Sequence, residues 1–311
     1  MAIQDVINDL VEQKGYSTKV ASLMVYNGGL NIYLLVDPEL QKLMEDEFTD
    51  ASNFPTATSG IKAQSAGIII DPETSDILAV VGSRDEKTAN RIQNFATQTK
   101  RPPGSSIKPI SVYAPAVEYG IINYASVYDD SPFKFYNEKS AWPKNASNTY
   151  RGLTPIWYSV SRSLNPIAVK VLDDLGLERS FRFCHDSLQM ESLIEKKKLE
   201  SGTVLSDKDY AALALGQLNY GLTVRELTAA YSIFVNDGIY NKPNSYLKVT
   251  DSYGETVLEN NYSGTVAISQ ETATVMNKIL HTVITEGTAS SYTDFEKLGI
   301  DCAGKTGTSG D

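Results

Sequence analysis

Lys100-Arg101-Pro102-Pro103-Gly104-Ser105-Ser106-Ile107-Lys108-Pro109 is the stretch on which the reading of this chain turns. Two prolines and a glycine close a polar segment, residues 83–100, and the spacing beyond them predicts a helix from Ser105 to about Tyr119, ended by Gly120. Ser105 and Lys108 stand three apart and so share one face of that helix. A helix start offers free N–H groups and a positive dipole end, and the Ser105 N–H could help hold a developing oxyanion. Pro109 is compatible, because first-turn N–H groups have no helical partner to lose. A serine hydroxyl needs a base. A desolvated Lys108, its pKa lowered by burial and by a second ammonium nearby, could serve. The competing reading is a capping serine beside a solvated lysine. Ser106 does not fit as nucleophile, since Lys108 is only two residues on.

Ser-x-x-Lys occurs four times, at Ser59, Ser105, Ser131 and Ser245, and local context separates the copies. Ser59 precedes a glycine in a loop. Ser131 precedes Pro132, which biases it toward extended backbone. Ser245 leads into an expected strand, where positions i and i+3 point to opposite faces. Only Ser105 sits where a helix begins.

Two later segments extend the chemistry. Ser163-Leu164-Asn165 is the one Ser-x-Asn in the chain. Ser163 could relay a proton and Asn165 could bind a substrate amide. Asn165 ahead of Pro166 would also make a good helix cap. Lys305-Thr306-Gly307-Thr308 should be part of a strand over 299–308. Alternation then puts Lys305 and Gly307 on one face and the two threonine hydroxyls on the other, and Gly307 leaves room for a ligand along the edge. Lysine and threonine there suit a substrate carboxylate. Residues 299–306 also match the phosphate-loop pattern Gly-x(4)-Gly-Lys-Thr, but that motif must follow a strand and open a helix. Residues 291–297 are polar, and too little chain follows Thr306 for a helix. Serine beside lysine, Ser-x-Asn and Lys-Thr-Gly, in that order, are the parts of a serine acyl-transfer site.

The rest of the chain sets bounds. Its 311 residues can bury a sizeable core, and 41% hydrophobic with 21% charged residues is the composition of a globular protein. A net charge of -10 argues against nucleic acid as the main partner. The one basic run, Lys196-Lys197-Lys198, reads as a solvated helix face or loop. Two cysteines, Cys184 and Cys302, and two histidines, His185 and His281, give no disulfide framework, zinc spacing or histidine-based triad. No cofactor or metal is expected. No apolar run has the length of a membrane span and no leader peptide is visible. Met1-Ala2 runs straight into helical sequence, which reads as a recombinant start.

Periodicity predicts helices over about 3–14, 18–27 and 38–48, a strand over 30–36, and a Ser/Thr/Pro/Gly-rich boundary over 53–60. Residues 1–60 then form a small linker lobe and 61–311 the main domain. Antiparallel strands are expected at 63–70 and 77–82 and a hairpin at 246–258. Helices are expected from Thr154-Pro155, Asn165-Pro166, the Thr223-x-x-Glu226 capping box and Ser269, while 121–152 lacks periodicity and reads as loop. The fold class is α+β: an antiparallel sheet, shared by the first and last strands and flanked by helices, with a mostly helical subdomain.

The chain resembles the transpeptidase domain of class A penicillin-binding proteins. Besides the three motifs, Gly28-Gly29-Leu30-Asn31-Ile32-Tyr33 with Val36-Asp37-Pro38-Glu39-Leu40-Gln41 is similar to the entry to that domain. Ser163-Leu164-Asn165-Pro166-Ile167-Ala168-Val169 and Ala214-Leu215-Gly216-Gln217 through Tyr220-Gly221-Leu222-Thr223 also fit. The resemblance implies a penicillin-binding-protein and serine β-lactamase-like fold and a D,D-transpeptidase that cross-links peptidoglycan stem peptides, is acylated by β-lactams and needs no cofactor. It implies that Lys108 activates Ser105, that Ser163 and Lys305 help move the proton, that Asn165 binds the acyl-side amide, and that Thr306, Gly307 and Thr308 form the carboxylate-binding segment. The N–H groups of Ser105 and Thr308 would form the oxyanion hole. It further implies a membrane anchor, an N-terminal glycosyltransferase domain and a position on the extracytoplasmic face of the bacterial membrane. Against the family pattern, strands and a terminal helix after Lys-Thr-Gly are expected to be missing. Two alternatives stay open: a serine β-lactamase, although no Glu-x-x-Leu-Asn is present, and a penicillin sensor or non-catalytic cell-wall binding domain.

Overall fold

The structure, a computed structural model, describes residues 1–56, 60–85, 87, 89, 92–136, 140–260, 262–291 and 295–310. Its contacts gather into two compact units. One comprises Met1–Thr99, Thr223–Ala229 and Asn241–Gly264; the other comprises Lys100–Leu222, Ala230–Tyr240 and Thr265–Asp311. Helices and strands alternate irregularly along the chain, as an α+β protein requires.

In the first unit, the helices Ala2–Lys14 and Thr18–Asn27 bury Val6, Ile7, Leu10 and Ala21 against Tyr246, Val249 and Leu258. Each large apolar side chain so buried contributes roughly 1.5–3 kcal/mol. The latter three residues lie on the hairpin Tyr246–Thr250 and Thr256–Glu259, and Asn31–Leu34 pairs with its first strand to give a three-stranded antiparallel sheet. Asp37 caps the helix Pro38–Thr49, its carboxylate accepting the N–H groups of Glu39 and Leu40 at 2.9 and 3.0 Å. That helix packs Leu40, Met44 and Phe48 on Ile69, Ala79 and Val81 of the antiparallel pair Gly67–Ile70 and Ile77–Val81. Gln41 covers part of the pair's open edge: its amide donates to the Val80 carbonyl at 3.0 Å and accepts the Val80 N–H at 2.9 Å. The capping box forms as read. The Thr223 N–H donates to Glu226 Oε2 at 2.9 Å, and the Glu226 N–H donates to Thr223 Oγ1 at 3.1 Å.

The second unit is built on helices. The segment predicted as one helix from Ser105 is helical throughout but wound in three pitches: a tight 3₁₀ turn (Gly104–Ile107), a wide π turn (Pro109–Tyr113) and a regular turn (Ala114–Glu118). Pro109 has no N–H to donate to the Ser105 carbonyl, so the i→i−4 pattern is interrupted where the first two pitches meet. Ile107, Ile110 and Tyr113 are fully buried. Around them lie Asn165–Leu175, which buries Ile167, Val171 and Leu172, and Gln270–Thr285, which buries Met276, Ile279 and Val283. Ser269 caps the latter by accepting the Thr272 N–H at 3.3 Å. No helix among the described residues is long and apolar enough to cross a membrane.

Three expectations fail for physical reasons. Residues 121–152, read as loop, hold the strand Val127–Asp130, which pairs antiparallel with Gly152–Pro155, and the short ladder of Lys134–Phe135 with Ala141–Trp142. Val127 and Leu153 are 53% and 80% exposed, so this ladder leaves no hydrophobic alternation to read. Lys197–Lys198 lies in a short strand rather than a helix or loop, although its side chains are exposed as expected. The predicted strand over 299–308 is absent: no described ladder includes those residues, and Gly67–Ile70 and Ile77–Val81 pair only with each other. A strand exists only through a ladder partner, and the Lys-Thr-Gly segment spends its contacts elsewhere.

Candidate active site

The Ser105 turn is held by backbone. Arg101 and Leu222 exchange N–H···O=C bonds of 2.9 Å, fixing the entry to Pro102-Pro103. Gly104 adopts φ 57°, and a Cβ there would strike the Thr308 carbonyl; a Cβ on Gly216 would strike the backbone of Gly104 in turn. Three segments remote in sequence therefore touch at one glycine. Ser105 is half-buried, and its hydroxyl makes no hydrogen bond among the described residues. Ser106, by contrast, is committed to structure. Its hydroxyl donates to the Pro103 carbonyl at 2.7 Å, and its own carbonyl accepts the Tyr231 hydroxyl at 2.6 Å.

Lys108, at 1% exposure, is buried. Its amine donates to Asn165 Oδ1 at 2.6 Å, to the Ser163 carbonyl at 2.9 Å, and more weakly to Ser163 Oγ at 3.4 Å and the Leu164 carbonyl at 3.5 Å. None of these acceptors is a carboxylate. Burial, followed by the charge of nearby Lys305, pushes its pKa well below that of an ordinary lysine. The hydrogen bonds of Lys108 thus run to 163–165 and not to Ser105, with which the spacing had paired it.

Ser163 sits in left-handed backbone, φ 57°. A non-glycine residue there costs about 1–2 kcal/mol. The turn follows the helix Ile156–Ser161 and is closed by the Ser163 N–H to Val160 O at 3.1 Å and the Leu164 N–H to Ser159 O at 2.9 Å. This conformation aims both the carbonyl and the hydroxyl of Ser163 at Lys108, whose bonds offset the strain. Asn165 does not cap its helix, contrary to the capping alternative. Its Nδ2 donates to the Lys144 carbonyl at 2.7 Å while its Oδ1 accepts from Lys108, so the amide is turned into the site.

On the other side of the Ser105 turn lies the Lys-Thr-Gly segment. Lys305 is half-buried, its amine donating to its neighbour's carbonyl, Thr306 O, at 2.8 Å. Burial lowers its pKa to about 8. The Thr306 hydroxyl meets the Thr288 hydroxyl at 2.6 Å, and the Thr288 N–H donates to Ser161 O at 3.0 Å. Gly307 lies so close to the turn that a Cβ would come within 2.6 Å of the Pro103 carbonyl and 3.0 Å of Ser106 Oγ. Thr308 is exposed.

Lys108 thus joins the Ser105 turn to Ser163 and Asn165, and Gly307 and Thr308 pack against the same turn; Lys305 reaches Lys108 through its charge, and the Thr306 hydroxyl is bonded to Thr288. Sequence reading missed Thr288, seen only as chain beyond a helix stop, and Asn145, which lies in a turn-rich stretch without periodicity. The decoy serines are engaged elsewhere. Ser131 donates to Asp129 at 2.5 Å and accepts from Lys170, and Ser245 donates to Asp5 at 2.5 Å. Ser59 lies outside the described residues. Residues 301–310 are neither helix nor strand, so the phosphate-loop context is missing. Among the described residues, no group of histidine, cysteine and acidic side chains could hold a metal.

Residues 66–310 match the family model described as the penicillin binding protein transpeptidase domain. Penicillin-binding protein 1A of Clostridium acetobutylicum is 29% identical over 325 residues, covering 99% of this chain and 38% of that protein. Penicillin-binding protein 1A of Streptococcus oralis is 31% identical, covering 99% and 45%. The chain thus spans less than half the length of these relatives. The fold is similar to the PonA1 protein from Mycobacterium tuberculosis in complex with penicillin V, with a TM-score of 0.69, 20% identity and coverage of 91% of this chain and 70% of that one. It is also similar to the D,D-transpeptidase domain of a peptidoglycan glycosyltransferase from Eggerthella lenta, with a TM-score of 0.69, 17% identity and coverage of 97% and 75%. With a matching family model over most of its length, the chain belongs to the penicillin-binding protein transpeptidase family.

Proposed function

We propose that the chain is a serine D,D-transpeptidase acting on peptidoglycan stem peptides through an acyl-enzyme on Ser105, and that β-lactams acylate the same residue. One observation carries this reading. A buried lysine with no carboxylate among its hydrogen-bond partners is bonded to Ser163 and Asn165, on the turn that carries a serine hydroxyl free of hydrogen bonds among the described residues. A lysine in that setting favours the neutral amine, which a general base must be.

Ser105 Oγ attacks the penultimate D-alanyl carbonyl, and Lys108 takes the hydroxyl proton. The N–H groups of Ser105 and Thr308 stabilise the oxyanion. Asn165 binds the acyl-side amide, and Lys305 with Thr306 and Thr308 binds the terminal carboxylate beside Gly307. Collapse of the tetrahedral adduct breaks the peptide bond, and the departing D-alanine amine takes the proton that Lys108 holds, relayed through Ser163 and Lys305, which leaves Lys108 neutral again. The amine of a second stem peptide then attacks the ester and gives a proton to Lys108, which returns it to Ser105 Oγ as the ester bond breaks and the cross-linked product leaves.

Residues 61–311 are proposed as the transpeptidase domain and 1–60 as a linker lobe; the family match over 66–310 supports that boundary. For the whole protein the family resemblance implies an N-terminal glycosyltransferase domain, a membrane anchor and an extracytoplasmic location; the Eggerthella lenta neighbour, a transpeptidase domain of a peptidoglycan glycosyltransferase, supports the first of these. Incubation with a fluorescent penicillin, read by gel and intact mass, tests the activity. The expected result is a stable adduct on Ser105 that disappears in Ser105→Ala. An adduct that survives in Ser105→Ala overturns the assignment, and rapid loss of label with hydrolysed drug would mark a β-lactamase. A stem-peptide acceptor assay separates a transpeptidase from a sensor.

A further inference from the structure

We propose that Asn145 and Asp130 are positioning residues for this acyl transfer, setting the orientation of Asn165 and, through it, of the Lys108 amine; the inference rests on the function proposed above. Asp130 ends the strand Val127–Asp130 and is fully buried. Its carboxylate accepts Asn145 Nδ2 at 3.0 Å on both oxygens and the Arg151 N–H at 2.9 Å. Asn145 is 5% exposed, and its Nδ2 also reaches the Thr149 carbonyl at 2.9 Å. Its Oδ1 accepts the backbone N–H of Asn165 at 2.9 Å.

These contacts fix the sense of two amides. A carboxylate and a carbonyl can only accept, so together they oblige Asn145 to present Nδ2 to them and Oδ1 to Asn165. The N–H at the start of a helix has no partner within the helix, and Asn145 supplies one from twenty positions upstream. Asn165 is the first residue of its helix, behind Leu164 at the cap, so its side chain has no capping bond to make there. The Lys144 carbonyl next takes Asn165 Nδ2 at 2.7 Å, which leaves Oδ1 facing Lys108 at 2.6 Å. Had the amide flipped, its N–H groups would confront the lysine amine. Burying a carboxylate is costly, and here that cost secures an orientation that an apolar residue could not impose.

The test compares Asn145→Ala with the exchange Asp130→Asn plus Asn145→Asp. The exchange keeps an acceptor for the Asn165 N–H and an amide–carboxylate pair; it loses the bond to Thr149, whose carbonyl then faces a carboxylate oxygen. The limiting rate of acylation by fluorescent penicillin should fall about tenfold to a hundredfold in Asn145→Ala, as loss of alignment at a reacting group does. The endpoint labelled fraction should stay complete, and the exchange should recover most of the rate. Hydrogen exchange of the Asn165 amide, read by NMR on protein carrying isotope-labelled asparagine, needs no activity. It should quicken in Asn145→Ala and slow again in the exchange variant. Unchanged Asn165 exchange in Asn145→Ala, or a folded exchange variant as slow in acylation as Asn145→Ala, overturns the proposal. If the wild-type chain takes no label on Ser105, the proposed function fails on its own account, while the amide measurement still decides whether Asn145 holds Asn165.

Discussion

The two flanks of the Ser105 turn are held in different ways. The 163–165 flank is fastened by side chains: a buried lysine reaches four acceptors there, and the turn is strained to receive it. The Lys305–Thr308 flank has no ladder and is held by close backbone approach, through Gly104 and Gly307, and by one pair of hydroxyls. One flank is specified by hydrogen-bond chemistry, the other by the absence of side chains. A site built this way should lose chemistry when the first is altered and lose shape when the second is.

The largest effect is expected at the first flank. Lys108→Met fills the same space without an amine, and its acylation rate should drop by about 10²–10⁴-fold, the range for loss of a general base. Stopped-flow or gel-based acylation rates check this, and a drop under tenfold would return Lys108 to a packing role. On the second flank, Gly104→Ala adds a methyl where φ is 57° and the Thr308 carbonyl stands in the way. We expect acylation to slow by about tenfold or more through displacement of the proposed oxyanion donors, the Ser105 and Thr308 N–H groups, with a lower thermal midpoint. An unchanged rate would mean the backbone approach is not needed.

The smallest effect couples the flanks. Acylation should rise with pH as Lys108 loses its proton and fall again near pH 8, where Lys305, proposed to hold the substrate carboxylate, titrates. Lys305→Gln removes the falling limb. It also removes the like charge that depresses Lys108, so the rising limb should move to higher pH. A rising limb that stays put would show that the two amines do not sense each other. For stability the sign is opposite to that of an ordinary ion pair. The folded pKa of Lys305 lies below its unfolded value of 10.5, so its burial penalty is full below about pH 8 and is relieved as pH rises from about 8 toward 10.5.

How much of this was legible in advance depended on range. Helices with their own start and stop signals were read to within a residue or two. Asp37-Pro38, Thr223-x-x-Glu226 and Ser269 all cap as expected, because a cap is a local bond between near neighbours. The strands Val127–Asp130 and Gly152–Pro155 were missed because their ladder carries no apolar alternation. The strand expected around Lys305 was wrong because a ladder needs a partner, and nothing in its own residues supplies one.

By itself, the sequence picked out the candidates for the chemistry: Ser105, Lys108, Ser163, Asn165 and Lys305–Thr308 stand out by residue type and spacing. Only the tertiary structure decided how they are used. It pointed Lys108 at Ser163 and Asn165 rather than at Ser105, left the Asn165 side chain out of any cap, and set Asn145 and Thr288 beside the predicted residues. The physical reason is that spacing fixes which groups share a face, whereas the bonds of a buried amine depend on the acceptors that other segments place within about 3 Å of it.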